Sequence, residues 1–116
     1  MASTIRNKAM NALIEMGVPA NLKGFQYIAD AMELFEEDKI WMRSGSTILL
    51  YEKIAAINQN SASCVERNIR HAFSVALTKG YLERVEKYLT LQNPTNSNLL
   101  AVFYIRLSQE NKDEED

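Results

Sequence analysis

The sequence predicts an all-α fold, a compact bundle of about five to six helices. The 116 residues include only four glycines and two prolines, so few positions would break a helix. Apolar residues recur every three to four positions along most of the chain, which is the spacing of a helix face. Because 47% of the residues are apolar, a chain of this length can bury one core. We therefore expect a single domain over residues 1–109.

The first part of the chain contains two amphipathic runs and a short apolar segment. The first helix is expected to end at Gly17, and the second to extend from about Gly24 to Glu37. A short apolar piece within residues 38–44, which includes Trp41, is expected to close the core. The residues expected to face inward are Ile5, Ala9, Ala12, Leu13, Met16, Ile28, Ala31, Met32 and Phe35.

Two further runs meet at a short polar turn, residues 58–61, and neither run contains proline. The first begins with Ser46 or Thr47 as its N-cap. The second spans residues 62–79 and is followed by Gly80, a glycine suited to the left-handed conformation that ends many helices. Two helices joined by a turn of this length predict a helix-turn-helix. The residues expected to face inward are Leu50, Ile54, Ile57, Val65, Ile69, Ala72, Phe73 and Ala76.

The last part of the chain predicts a short helix over residues 81–89 and a longer one that starts at PTNS (residues 94–97). Asn96 and Ser97 are the expected caps of the longer helix. Residues 110–116 hold five acids and one lysine, and we expect them to form an acidic disordered tail. The residues expected to face inward are Leu82, Val85, Leu89, Leu99, Leu100, Phe103 and Leu107.

Three segments resemble one family, in the same order along the chain. The run ASCVERNIRHA (residues 62–72) resembles the recognition helix of the stage-zero sporulation protein A family, which usually reads ASRVERAIRHA. GVPANLKG (residues 17–24) is similar to the family's GVPAHIKG, although a plain connection between helices would explain it equally well, and PTNS matches the family's PTNS. The resemblance covers nearly the whole chain. It implies the C-terminal effector domain of a sporulation response regulator, which binds specific double-stranded DNA sequences and regulates transcription.

The resemblance also implies roles for individual residues. Base edges in the major groove would be read by Cys64, Glu66, Arg67 and Arg70. Glu66 could instead form a capping box with Ser63, and the two arginines could be ordinary exposed charges. His71 could instead be a structural histidine, which is the more common role of a lone histidine on a helix. Phosphate contacts are expected from Ser63, His71, Lys23, Asn60, Lys79, Asn96 and Ser97.

Cys64 is the largest departure from the family pattern. The family has an arginine there that reads a base edge, and a thiol cannot make that bidentate contact. The preferred DNA sequence should therefore differ from the family's. A thiol in the first turn of a helix could also act as a redox switch, or Cys64 could be a small residue tolerated at a variable position.

The charge distribution predicts modest non-specific DNA affinity. The net charge is −2, and without the acidic tail the remaining 12 basic and 10 acidic residues leave the domain at +2. A second acidic cluster, at Asp30, Glu33, Glu36, Glu37 and Asp38, is either a solvated face or a protein-contact surface. One cysteine and the absence of a signal-peptide core lead us to expect a cytoplasmic protein that does not enter membranes. No cofactor, metal site or catalytic constellation is expected, so we do not predict an enzyme.

The resemblance also implies how DNA binding is controlled and which further partners the chain has. The sequence includes no receiver domain with a phosphoacceptor aspartate, so DNA binding is expected to be independent of phosphorylation. Family members bind repeated boxes as tandem copies, so we expect this chain to be a monomer in solution that associates weakly with itself on DNA. Family members also contact the sigma subunit of RNA polymerase. The sigma contact is less secure here because the segment after Gly80 is several residues shorter than usual. The alternative function is a protein-interaction module that pairs with a full-length regulator or antagonises it.

Overall fold

The computed structural model describes residues 4–43 and 45–115, with the side chains of residues 111–115 outside the description. Six α-helices and one 3₁₀ helix follow one another, and the described residues include no strand. The predicted all-α fold is therefore confirmed. The elements are α1 (Thr4–Met16), α2 (Lys23–Glu37), the 3₁₀ helix (Lys39–Met42), α3 (Thr47–Asn58), α4 (Ala62–Lys79), α5 (Leu82–Tyr88) and α6 (Asn96–Glu115).

Helix α2 lies at the centre of the bundle and packs mainly against α1 and α4. Most of the predicted inward stripes are buried in one continuous core, including every predicted position of α1, α2, α4 and α6. Trp41 and Met42 of the 3₁₀ helix pack against this core while remaining half-buried. Ser44, at the end of that predicted segment, lies outside the described residues.

Two residues predicted to face inward are exposed. Ile57 is 53% exposed because the buried stripe of α3 continues from Ile54 to Asn58, which hydrogen-bonds into the bundle. Leu82 is 57% exposed because α5 contacts the core only from Val85 onward.

Gly80 serves a different purpose from the predicted one. Its φ is −78°, outside the left-handed region. An added Cβ would lie 2.4 Å from the carbonyl oxygens of both Ala76 and Met16. Glycine is therefore required there because the C-terminal ends of α1 and α4 approach each other closely. The amide of Tyr81 closes the junction by donating to the Met16 carbonyl at 3.1 Å.

The start of α6 also differs from the prediction. Thr95, rather than Asn96 or Ser97, caps the helix, because its Oγ1 accepts from the amide of Asn98. The helical backbone of α6 continues to Glu115. The side chains of residues 111–115, together with residue 116, lie outside the description, so the acidic tail remains an expectation there.

Candidate nucleic-acid interface

The connection between α3 and α4 is a tight turn with a defined backbone. Helix α3 ends at Asn58, and Gln59 adopts a left-handed conformation with φ of 55°. The amide of Asn60 then donates to the Ala55 carbonyl at 2.9 Å, which satisfies one carbonyl of the last turn. Ser61 is the N-cap of α4, since its Oγ accepts from the amide of Cys64 at 3.2 Å. The start of α4 is thus fixed relative to the end of α3.

Helix α2 holds this turn in place through two polar contacts. The buried carboxylate of Asp30 accepts from Asn58 Nδ2 at 2.8 Å and from the Arg6 guanidinium at 2.6 Å. The side chain of Asn60 donates to the hydroxyl of Tyr27 at 3.2 Å, while its Oδ1 accepts from the amide of Ser61 at 2.8 Å. Asn60, predicted to contact phosphate, thus has both ends of its side chain engaged within the protein.

Helix α4 separates a buried stripe from an exposed polar face. Its predicted inward residues are at most 1% exposed, whereas the opposite face is exposed. The described part of the chain provides no ion pair for Arg67, so its guanidinium is available to a ligand. The exposed residues of this face, which we call the α4 face, are Ser63, Arg67, Arg70, His71 and Ser74.

Glu66 and Arg70 lie at the edge of the α4 face and form an ion pair of 3.6 Å. Arg70 is 63% exposed and Glu66 is 37% exposed, so the pair contributes only about 0.3–0.5 kcal/mol and can be exchanged for contacts to a ligand. The capping-box alternative for Glu66 is wrong, because Ser61 and not Ser63 caps the helix. Ser63 lies inside the first turn, with its Oγ 3.3 Å from that of Ser61.

Cys64 lies beside the α4 face and is half-buried. The Asn68 side chain donates to the Cys64 carbonyl at 2.8 Å and lies 3.2 Å from its sulfur. Asn68 also faces α2, because a Cβ added to Gly24 would lie 2.1 Å from the Asn68 carbonyl oxygen. Cys64 is therefore on the flank of α4 that leads toward α2.

The segment around Lys23 runs alongside α4. A Cβ on Gly24 would also lie 2.8 Å from the Cβ of Ala72, so the first turn of α2 is in backbone contact with the middle of α4. Lys23 is exposed beside this contact. Lys79 is exposed too, but it is 16 residues from Ser63, roughly 24 Å along the helix axis, so the two cannot contact the same phosphate.

The residues of the PTNS segment lie against α3 and α4. Asn96 Nδ2 donates to the Glu66 carbonyl at 3.0 Å, and Thr47 Oγ1 lies 3.5 Å from Ser97 Oγ. Burial raises the pKa of the Tyr51 hydroxyl, and a hydrogen bond from Asn96 partly offsets that rise. Asn96 and Ser97 were predicted to contact phosphate, and the structure shows that their side chains have partners inside the protein.

Sequence reasoning missed the residues that support the interface. Asp30 and Tyr27 hold the turn, Ser61 caps α4, and Asn68 contacts Cys64. Only two of these had a local signal: Ser61 is an N-cap residue type before the helix, and Asn68 is four residues after Cys64. The long-range contacts of Asp30 and Tyr27 had none.

Other kinds of site find no support among the described residues. The described residues contain no group of three or more histidine, cysteine or acidic side chains arranged to hold a metal. No described helix combines the length and apolar character needed to span a bilayer.

A comparison with protein-family models matches residues 9–107 to the family described as sporulation initiation factor Spo0A C terminal. The match begins within α1, ends within α6 and includes the α4 face. This is a family of DNA-binding regulatory domains rather than of enzymes. The chain therefore belongs to the Spo0A C-terminal family, as a DNA-binding effector domain of a transcription regulator.

Proposed function

We propose that the chain binds specific double-stranded DNA sequences by inserting α4 into the major groove. Helices α3 and α4 act as the helix-turn-helix, and α4 is its recognition helix. The observation that carries this proposal is the α4 face: Arg67, Arg70 and His71 are exposed together on a helix whose opposite side is fully buried. A helix held rigidly by its buried side can present these groups to base edges in a fixed geometry.

The contacts divide between bases and phosphates. Arg67 and Arg70 supply guanidinium groups for guanine edges, and Glu66 can accept from a cytosine amino group once its pair with Arg70 opens. Cys64 faces a neighbouring base without a bidentate contact. Ser63 lies at the N-terminal end of the α4 face and His71 on its flank, where they would reach phosphates.

The flanks of α4 supply further phosphate contacts. Lys23 approaches one strand beside the middle of α4, and Lys79 approaches the duplex from the end of the helix. The side chains of Asn60, Asn96 and Ser97 bond within the protein, so none of the three is assigned a side-chain contact with phosphate. For Asn96 and Ser97 we assign the phosphate contacts to their backbone amides, in the first turn of α6.

Selection from a random duplex library at two salt concentrations tests this proposal. The expected result is one enriched sequence, altered from the family box at the base that the family arginine reads. With two lysines, Lys23 and Lys79, on phosphates, affinity should fall roughly tenfold between 50 and 200 mM salt. Salt-sensitive binding without an enriched sequence would rule out specific recognition.

A second candidate function is protein association through the start of α5. Tyr81 is 70% exposed and Leu82 57% exposed, and together with Glu15 and Arg84 they line an open surface cleft. Such exposed apolar side chains beside charged ones are typical of protein-contact surfaces. A sigma subunit of RNA polymerase or a full-length regulator of this family would be the partner.

Light scattering after gel filtration distinguishes the two functions. If association is the main function, the wild-type chain should co-elute with an intact family member, and the double variant Tyr81→Ser and Leu82→Ser should not. Co-elution that survives in the double variant would exclude this surface.

A further inference from the structure

The first turn of α6 contacts both helices of the proposed helix-turn-helix. Asn96 reaches α4 through the Glu66 carbonyl, and its side chain also lies beside the buried Tyr51 on α3, where it lowers the pKa of the hydroxyl. Ser97, the next residue, lies against Thr47 at the start of α3. A single side chain, that of Asn96, thus joins three helices close to the α4 face.

The contact of Asn96 with α4 is made to the backbone and not to a side chain. A carbonyl oxygen has two lone pairs, so the Glu66 carbonyl can accept from Asn96 in addition to its helical amide partner. The bond consequently holds the helix itself, at the turn that carries Glu66 and Arg70, while leaving both side chains free to move.

The opposite flank of α4 is held by close packing. There the backbone of Gly24 lies against Asn68 and Ala72, with no room for a Cβ. Helix α4 is therefore fixed on one flank by α2 and on the other by Asn96. A rotation of 10° about its axis would move a side-chain tip by roughly 1 Å, given a helix radius with side chains of about 5–6 Å. Displacements of that size disrupt recognition sites.

We propose that Asn96 is a positioning residue for base recognition, which sets the rotation of α4 and therefore the aim of Glu66 and Arg70. This role rests on the proposed function, DNA recognition by α4. It also gives the PTNS segment a physical purpose: Thr95 starts α6, Asn96 aligns α4, and Ser97 contacts α3.

Two substitutions at Asn96 separate positioning from general stability. Asn96→Asp keeps the shape of the side chain but can donate neither to the Glu66 carbonyl nor to the Tyr51 hydroxyl. A carboxylate in the first turn is favourable to the helix dipole, so α6 itself should be preserved. Asn96→Ala removes the same donor without adding charge. The matched control is Thr95→Ala, which loses the cap of α6 but has no bond to α4.

The measurement is affinity for the selected duplex and for duplexes changed at each base pair, alongside the melting temperature of each variant. Both Asn96 variants should lose about threefold to tenfold in discrimination at the base pairs read by Glu66 and Arg70 and keep it elsewhere. Thr95→Ala should keep discrimination at every base pair although its melting temperature falls.

The opposite results would overturn the proposal. Unchanged discrimination in the Asn96 variants, or a loss in all three variants that follows their melting temperatures, would leave Asn96 with a structural role only. If the wild-type chain enriches no duplex sequence, the proposed function fails, and the positioning role fails with it.

Discussion

At the scale of single residues, DNA recognition depends on which side chains of α4 are available to the duplex. Arg67 is the clearest case, because it is exposed and the described residues give it no ion pair. Arg70 shares a weak pair with Glu66, and Cys64 is half-buried against Asn68. These three environments predict different responses to substitution.

Arg67→Ala should weaken binding to the selected duplex by roughly tenfold to a hundredfold. The free energy of unfolding should change by less than about 0.5 kcal/mol, because the side chain is exposed. Fluorescence anisotropy and urea denaturation measure the two quantities. Lys87→Ala removes the same charge on α5 and serves as the control. Equal losses of affinity in both variants would mean that only net charge matters.

Cys64→Arg should change the base preference rather than the overall affinity. The new guanidinium can extend from the flank of α4 toward a guanine, a contact that contributes about 1–3 kcal/mol of discrimination. Repeating the duplex selection with this variant should enrich guanine at one position. Cys64→Ser is the control and should select the wild-type sequence. An identical sequence from Cys64→Arg would show that residue 64 does not face a base.

At the scale of the helices, periodicity predicted the elements well. The bounds of α4 match the predicted 62–79, and all five residues of its stripe are buried. A helix with only one apolar face can pack against the core in only one orientation, so its buried residues could be predicted. Helix α3 was predicted less well, since Ile48, Leu49 and Ile57 make it apolar on several sides and periodicity cannot choose among them.

The close packing of α2 on α4 predicts the effect of a single methyl group. Gly24→Ala should lower the free energy of unfolding by about 3 kcal/mol or more, because the Cβ meets the backbone of Asn68 and one of the two helices must move. Urea denaturation measures this loss. Gly45→Ala is the control: its φ of 91° costs roughly 1 kcal/mol, but no atom lies within 4 Å of the new Cβ. A Gly24→Ala protein as stable as Gly45→Ala would contradict this packing.

The candidate site was predicted only in part, for a physical reason. Arg67, Arg70 and His71 lie opposite the apolar stripe of α4. The stripe can be identified from the sequence alone, so the exposure of these three residues could be predicted. The partners of Asn60 and Asn96 are 33 and 30 residues away along the chain, so no local pattern indicates that their side chains are engaged. The same applies to Gly80, whose contact with Met16 depends on how α1 and α4 meet.

At the scale of the whole molecule, polar contacts between helices account for the acidic residues around the end of α2. Asp30 holds Arg6 and Asn58, Glu36 accepts from Tyr104, and Asp38 caps the 3₁₀ helix. Negative charge at a helix C-terminus is unfavourable by a few tenths to about 1 kcal/mol, and the partners of Glu36 and Asp38 offset that cost, whereas Asp30 lies in the middle of α2. At least three members of the acidic cluster therefore have structural roles.

Two buried tyrosines predict a loss of stability at alkaline pH. Burial raises the pKa of the Tyr51 and Tyr88 hydroxyls above the ordinary value of 10.0, and for Tyr88 hydrogen bonds to the carboxylates of Glu15 and Glu110 add to the rise. The unfolded chain therefore loses these protons first. The two protonated hydroxyls contribute fully to the free energy of unfolding below about pH 10. This contribution is lost as the pH rises through their higher pKa values in the folded state.

Urea midpoints measured between pH 7 and 11 test this dependence. They should be nearly constant to about pH 9 and then decrease, with a shallower decrease in Tyr88→Phe. Tyr81→Phe is the control and should follow the wild-type curve, because Tyr81 is 70% exposed. The idea fails if Tyr88→Phe declines as steeply as the wild type.

The most direct test of DNA recognition by α4 is nuclear magnetic resonance with the ¹⁵N-labelled chain, titrated with the selected duplex and with a scrambled duplex at the same salt. If α4 reads the bases, the amide signals of residues 63–71 shift with the selected duplex and much less with the scrambled one, while those of residues 81–84 stay in place. Shifts confined to residues 81–84, or equal shifts with both duplexes, would contradict the central claim.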